Sequence, residues 1–293
     1  MKNILETIGN TPLVKIEKIN SNPRVNILAK LEGQNPTGSV KDRIALAMVE
    51  KAEKEGTLAK GKTIIEPSSG NTGISLAMVG AIKGYKVKIV LPESMSIERR
   101  KIIKFFGADL ILVKKEDWRD AAIKFTKDLV KRDKNLVLLN QFENEANVKI
   151  HYETTGREIL EQMEDKKIDV LVAGIGTGGT ITGIGQRLKE KYPKVKIIGV
   201  QPKLGSKIEG LKSLKEGYIP PVLNLNLIDE IIEVKEEKAF EMAKKLAQKE
   251  GIFAGPSSGA AMEVALRISQ KLNRGNIVVI FPDRGEKYLS ILK

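Results

Sequence analysis

Short apolar runs rich in Ile, Val and Leu alternate with longer segments of helical periodicity along nearly the whole chain, and no other feature limits the fold as strongly. The pattern predicts strands over 26–31, 63–66, 86–91, 110–113 and 137–139, with helices over 41–55, 71–83, 97–106 and 118–132 between them. After residues 140–144 the rhythm restarts, with helices over 147–163, 180–191, 236–250 and 257–271 and strands over 170–173, 196–201 and 276–281. Strands joined through helices run parallel, so the expected class is α/β, mainly parallel, with two sheets. Residues 202–228 break the alternation with an irregular stretch, and long loops of that kind usually cover a site.

Composition removes several chemistries at once. With no cysteine there is no disulfide, thiolate zinc site or cysteine nucleophile, and the one histidine, His151, cannot build a histidine-rich metal site. His151 is expected to be a packed structural residue, and no metal is expected. The first ten residues lack the basic start and apolar core of a signal peptide, and no apolar run approaches the ~20 residues of a membrane span. The cytoplasm is therefore the expected location, without membrane attachment. A formal charge of +13 invites a nucleic-acid reading. Against it, lysines are interleaved with glutamates, as in Glu50-Lys51-Ala52-Glu53-Lys54-Glu55, and aromatics are only 4%. Nucleic acid is not expected as a partner. The Lys, Glu and Ile richness also suits a heat-adapted protein.

Four turns carry the candidate chemistry. Asn35-Pro36-Thr37-Gly38-Ser39-Val40-Lys41-Asp42-Arg43 runs from a turn directly into the apolar-periodic segment Ile44, Leu46, Ala47, Met48, which puts Lys41 at a helix mouth. Helix dipole and partial desolvation there would lower its pKa and free the amine for Schiff-base chemistry. Taken alone, Lys41 reads as one more solvated lysine in a basic chain. Gly174-Ile175-Gly176-Thr177-Gly178-Gly179-Thr180 follows a strand and opens a helix, the context of an anion cradle. It also satisfies G-x-G-x-x-G, yet the next strand ends in Gln201-Pro202 rather than in an acid, so a phosphate is expected without a ribose to hold. Ser68-Ser69-Gly70-Asn71-Thr72-Gly73 and Gly255-Pro256-Ser257-Ser258-Gly259-Ala260 are two further donor-rich helix starts, each readable singly as an ordinary capped helix. Three such starts with one candidate lysine form a constellation more specific than its parts.

These motifs, in order with 8–13, 154–156 and 282–290, resemble the β-family (fold type II) of pyridoxal-phosphate enzymes, and within it the cysteine synthase, or O-acetylserine sulfhydrylase, family. The resemblance implies two open, twisted, mainly parallel sheets flanked by helices. It also implies a smaller mobile domain at 36–145 and a larger phosphate-binding domain from 1–35 plus 146–293. Pyridoxal 5′-phosphate would be joined to Lys41, which would also shuttle the Cα proton. Asn71 would bond the pyridoxal 3′-oxygen; Gly176, Thr177, Gly178, Gly179 and Thr180 would bind its phosphate; Ser257 would face its ring nitrogen. Ser68, Ser69, Gly70, Thr72 and Gln141 would clamp the substrate carboxylate. Relatives often have Thr where this chain has Ser68, a swap that keeps the hydroxyl. The implied partners are a small amino-acid substrate, a sulfur donor and a second copy in a homodimer, with a serine acetyltransferase complex left open.

Met95-Ser96-Ile97-Glu98-Arg99-Arg100, and Gly205 to Lys212 after Gln201-Pro202, are more similar to the B-type isozymes. Lys212, with Lys203 or Lys207, would then offer positive charge to O-phosphoserine or thiosulfate. Lysine lacks the fork of arginine, and a solvated loop lysine is an equally good reading. Cystathionine β-synthase chemistry and serine or threonine dehydration remain open on the same residues. So do a catalytically silent peptide-binding regulator and an NAD oxidoreductase, although intact Lys41 and Asn71 speak against the regulator as sole role.

Overall fold

The computed structural model describes residues 3–114 and 118–292. In chain order the elements are β1 (Leu13–Ile16), β2 (Val25–Leu31), α1 (Lys41–Lys54), β3 (Thr63–Pro67), α2 (Asn71–Lys83), β4 (Lys86–Pro92), α3 (Ile97–Phe105), β5 (Asp109–Val113), α4 (Trp118–Arg132) and β6 (Leu136–Leu138). They continue with α5 (Ala146–Ile150), α6 (Arg157–Gln162), β7 (Val170–Gly174), α7 (Gly179–Lys191), β8 (Lys196–Pro202), β9 (Glu230–Val234), α8 (Glu236–Lys245), α9 (Pro256–Lys271) and β10 (Gly275–Phe281). One sheet has the order β5-β4-β3-β6, all parallel; the other has the order β1-β2-β10-β7-β8-β9, parallel except where β1 meets β2. The α/β expectation with two mainly parallel sheets therefore holds.

Helices cover both faces of each sheet, and so the strands read as nearly unbroken apolar runs. On the larger sheet, Ile27, Val172, Val200 and Val279 pack with Met262 and Val264 of α9, while Leu171, Ile197 and Val278 pack with Ile181 and Ile184 of α7. On the smaller sheet, Ile64 and Ile89 pack with Ile44 and Met48 of α1 and Ile74 of α2, and Ile65 and Val90 pack with Ala122 of α4. Leu5 and Ala146, from outside the 36–145 segment, join the core of the smaller sheet.

Three local features depart from the sequence expectation. The edge strands β1 and β9 were not expected, because a four-residue strand with Lys15 in it and a five-residue strand with Glu230 and Glu233 in it show little alternation. The single helix expected over 147–163 is α5 and α6 separated by a wide π turn at His151–Gly156. Inside that turn His151 is fully buried and its two ring nitrogens lie 2.9 Å from Thr155 Oγ1 and 3.1 Å from Thr180 Oγ1, contacts that apolar periodicity does not record. The helix expected over 236–250 likewise ends in a π turn, at Leu246–Glu250.

A buried ionic cluster joins segments that are remote in sequence. Arg43 donates through Nε and Nη2 to Glu32 at 2.7 and 2.8 Å, and through Nη1 and Nη2 to Glu158 at 2.6 and 2.8 Å. Lys30 Nζ donates to Glu158 at 2.8 Å and to the Thr11 carbonyl. Burial alone would raise the Glu158 carboxyl, but the hydrogen bonds and charge of Arg43, then of Lys30, more than reverse this and hold it at about 2. Removing one member of such a cluster strands an opposite charge away from water. Arg43→Ala is expected to lower the unfolding free energy by about 3–5 kcal/mol, read from urea denaturation, whereas an exposed pair such as Lys127–Glu143 is worth roughly 0–1 kcal/mol.

Candidate active site

The loop before α1 is pinned on every side. Val40 N–H donates to the Pro282 carbonyl at 2.8 Å, Gly38 N–H to the Asn35 carbonyl at 2.8 Å, and Lys287 Nζ to the Gly38 carbonyl at 3.1 Å. The Asp42 carboxylate accepts from Thr37 N–H at 2.7 Å and from Ser75 of α2 at 2.5 Å, and also from the Thr37 hydroxyl. Lys41, the first residue of α1, is thereby held over a cavity of about 880 Å³ that lies between the loops of the two sheets. Burial lowers its amine to about 8, partly opposed by the charges of Asp283 and Glu32. About a tenth of that amine is therefore uncharged at pH 7, far more than for an ordinary lysine, and nucleophilic attack on an aldehyde requires the uncharged form.

Gly176 and Thr177 line the same cavity at the turn from β7 to α7. Gly178 caps α7 with φ of +92°, where a side chain would be strained and would collide with Leu223. Thr177 Oγ1 accepts from Asn147 Nδ2 at 3.1 Å, and the same nitrogen donates to the Gln141 carbonyl at 2.8 Å, tying the turn to the other half of the site. The Thr180 hydroxyl lies on His151, whose imidazole burial and the charges of Arg43 and Lys41 keep far below its ordinary pKa. His151 is thus packed, as expected, beneath the turn.

The 68–73 turn divides its residues between frame and face. Ser69, Asn71 and Thr72 line the cavity with Gln141. Ser68 does not; its Oγ accepts from the N–H groups of Gly70 and Gly73, both at 3.1 Å, and Gly70 packs against the Arg99 side chain. Thr72 Oγ1 donates to Gln141 Oε1 at 2.7 Å, and Gln141 Nε2 donates to the Pro67 carbonyl at 3.1 Å. Behind them the buried Glu66 carboxylate accepts from the N–H groups of Asn140 and Gln141 at 2.8 and 2.9 Å, while burial raises it to about 7. Glu66 and Asn147 were not singled out from the sequence. The one available signal was an acid inside the otherwise apolar run Ile64-Ile65-Glu66-Pro67.

Ser257, second residue of α9, lines the opposite wall, close to Gly210. Residues 206–212 form much of the remaining wall. Glu209 there pairs with Arg99 of α3, and Lys212 is buried with Nζ 3.9 Å from the centroid of the Tyr218 ring. Lys207 also reaches the cavity, while Lys203 is not among its lining residues. Lys41, Asn71, Gly176, Thr177, Ser257, the clamp residues Ser69, Thr72 and Gln141, and Lys212 are thus brought to one cavity. Ser68, Gly70, Gly178, Gly179 and Thr180 stand behind its surface.

The residues fit a pyridoxal phosphate. An amine with a lowered pKa shares the cavity with a glycine-rich helix start, and Asn71 Oδ1, Asn147 Oδ1 and Asp283 Oδ1 are buried with no hydrogen-bond partner. Among the described residues no group of three or more His, Asp or Glu is placed to hold a metal.

A family model described as "Pyridoxal-phosphate dependent enzyme" matches residues 4–283. A cysteine synthase of Staphylococcus aureus is 46% identical over 98% of this chain and 95% of its own length. One from a Flavobacterium species is 50% identical over 87% of this chain and 84% of its own. Among solved structures, a hydrogen sulfide-producing enzyme of Fusobacterium nucleatum superposes with a TM-score of 0.94 at 43% identity, covering 98% of this chain and 99% of that one. Cysteine synthase of Entamoeba histolytica superposes with a TM-score of 0.90 at 40% identity, covering 99% of this chain and 90% of that one. With a family model matching residues 4–283, curated relatives 46–50% identical over most of the chain and solved structures of the same fold, the chain belongs to the pyridoxal-phosphate dependent enzyme family.

Proposed function

We propose that this chain makes L-cysteine by β-replacement, exchanging the acetoxy group of O-acetyl-L-serine for a sulfur nucleophile. The observation that carries the reading is the placement of Lys41, its amine lowered to about 8, on one cavity with the 176–177 turn and the Ser69, Thr72 and Gln141 donors. The cysteine synthases similar over nearly the full chain support it.

Lys41 and Asn71 would hold the pyridoxal ring, Gly176 and Thr177 its phosphate on a turn that residues 178–180 shape from behind, and Ser257 its nitrogen side. The group, when bound, supplies an electron sink that lowers the cost of breaking the Cα–H bond and expelling the β-substituent. Ser69, Thr72 and Gln141 hold the substrate carboxylate and so fix Cα beside Lys41. Lys41 Nζ takes the Cα proton as the carboxylate leaving group departs from Cβ, and returns it to Cα after sulfur has bonded to Cβ. Ser257 offers a neutral hydroxyl where a carboxylate would draw a proton onto the ring nitrogen. Closure of the 36–145 unit against the larger sheet excludes water while Cβ is open to attack.

Lys212 extends the reading to O-phosphoserine as an alternative acceptor. Its ammonium, on the cavity wall near the Tyr218 ring, suits a dianionic leaving group better than a monoanionic one. The exposed Ile97, Phe105 and Leu289 support a homodimer built around α3 and the C-terminal segment, which the Glu98–Ser290 hydrogen bonds hold together. Sulfide is proposed as the first sulfur donor, in the cytoplasm. No helix among the described residues is long and apolar enough to cross a membrane.

Purified protein loaded with pyridoxal phosphate is expected to form L-cysteine from O-acetylserine and sulfide, with Lys41→Ala reducing turnover by at least about 10³-fold. An inert wild-type protein refutes the reading. In cofactor-free protein the Lys41 amine is protonated below about 8, so the rate of aldehyde capture, followed by absorbance, is expected to climb about tenfold per pH unit up to that point and level off above it. For Lys212→Ala, kcat/KM with O-phosphoserine is expected to fall about tenfold further than with O-acetylserine. Equal losses would remove Lys212 from acceptor selection.

A further inference from the structure

Asp283, two residues past the end of β10, is 2% exposed yet lines the cavity with Lys41 and Asn71. Its Oδ2 accepts from Asn71 Nδ2 at 2.6 Å and from the Tyr288 hydroxyl at 2.5 Å, while its Oδ1 is buried with no partner. The carboxylate occupies a slot at the start of α9, where the chain passes so close that a Cβ on Gly255 would collide with Oδ1. A negative charge is favoured at that helix end. Tyr288 is held in turn by the Arg99 guanidinium, 4.6 Å from its ring centroid.

We propose that Asp283 is the positioning residue that decides which end of the Asn71 amide meets the cofactor, a role that rests on the reading of Asn71 as the partner of the pyridoxal 3′-oxygen. An amide side chain has two nearly isosteric orientations, and only its nitrogen end donates. Asn71 Oδ1 is buried with no partner, so the amide oxygen does not fix the orientation. The Asp283 carboxylate does, because an ionised carboxylate only accepts. A flipped Asn71 would set Oδ1 against Oδ2, two acceptors at 2.6 Å. Held nitrogen-first, Asn71 spends one N–H on Asp283 and keeps the second for a phenolate oxygen in the cavity. The same carboxylate is foremost among the charges that oppose the lowering of the Lys41 amine by burial, so one side chain acts on both ends of the imine-forming site.

The test compares visible spectra of the loaded enzymes. The ratio of the long- to the short-wavelength cofactor band reports how the 3′-oxygen is hydrogen-bonded. Asp283→Ala is expected to lower that ratio by at least about threefold, the size of one net hydrogen bond. The shift is expected to vanish when Asp283→Ala is made in an Asn71→Ala background. Should Asp283→Ala not fold by circular dichroism, Asp283→Asn, which keeps the volume but can pair with Asn71 in either sense, is expected to shift the ratio in the same direction. A wild-type spectrum in the folded Asp283 variant, with Asn71→Ala shifted, overturns the role of Asp283 and leaves Asn71 in place. An Asn71→Ala spectrum identical to wild type overturns the reading of Asn71 and the proposal with it.

Discussion

A guanidinium buried between two carboxylates determines where the reactive amine stands. Arg43 is gripped by Glu32 at the end of β2 and by Glu158 on α6, so α1 can neither rotate nor slide without stranding charge. Lys41 lies two residues earlier on the same helix, about 200° around its axis, and therefore faces the cavity when Arg43 faces the cluster. Lys30 and Thr11 extend the grip to β2 and to the segment before β1. The site consequently inherits its precision from charges that never touch a substrate.

The alternation of apolar runs and amphipathic segments revealed both sheets, because each is covered by helices on two faces and its strands are uniformly apolar. It did not reveal β1 and β9, whose edge positions require neither length nor alternation. Turn chemistry marked the helix starts at 41, 71, 179 and 257 as candidates, since a helix start with small residues leaves a local signature, while the roles given to Lys41, Asn71 and Ser257 came from the family resemblance. Residues that support those turns from elsewhere left none. Asn147 touches Thr177 across 30 positions, Asn71 meets Asp283 across 212, and Ser68 spends its hydroxyl on backbone N–H groups instead of facing the cavity. Single-sequence patterns record neighbours within a few residues, whereas these contacts exist only after the two sheets have docked.

Electrostatics inside the site run against the basic surface. Lys41 and Lys287 are both lowered to about 8 by burial, with Asp283 the first of the charges that oppose it. His151, facing Arg43 and Lys41, is held neutral and presents one nitrogen to Thr180. The interior thus eases deprotonation of its amines and keeps an imidazole uncharged. A chain of net charge +13 offers a different environment to an anionic substrate once it is inside.

The wall segment that carries Glu209 is moored to α3 through Arg99, and Arg99 leans on Tyr288 and so on Asp283. A displacement of this segment would therefore pull on α3 and on the Asp283 pocket together. Cavity wall and chemical centre share one mechanical linkage through Arg99 and Tyr288. A substitution at Arg99 would thus be felt at both ends of that linkage, in the wall and beside the reactive amine.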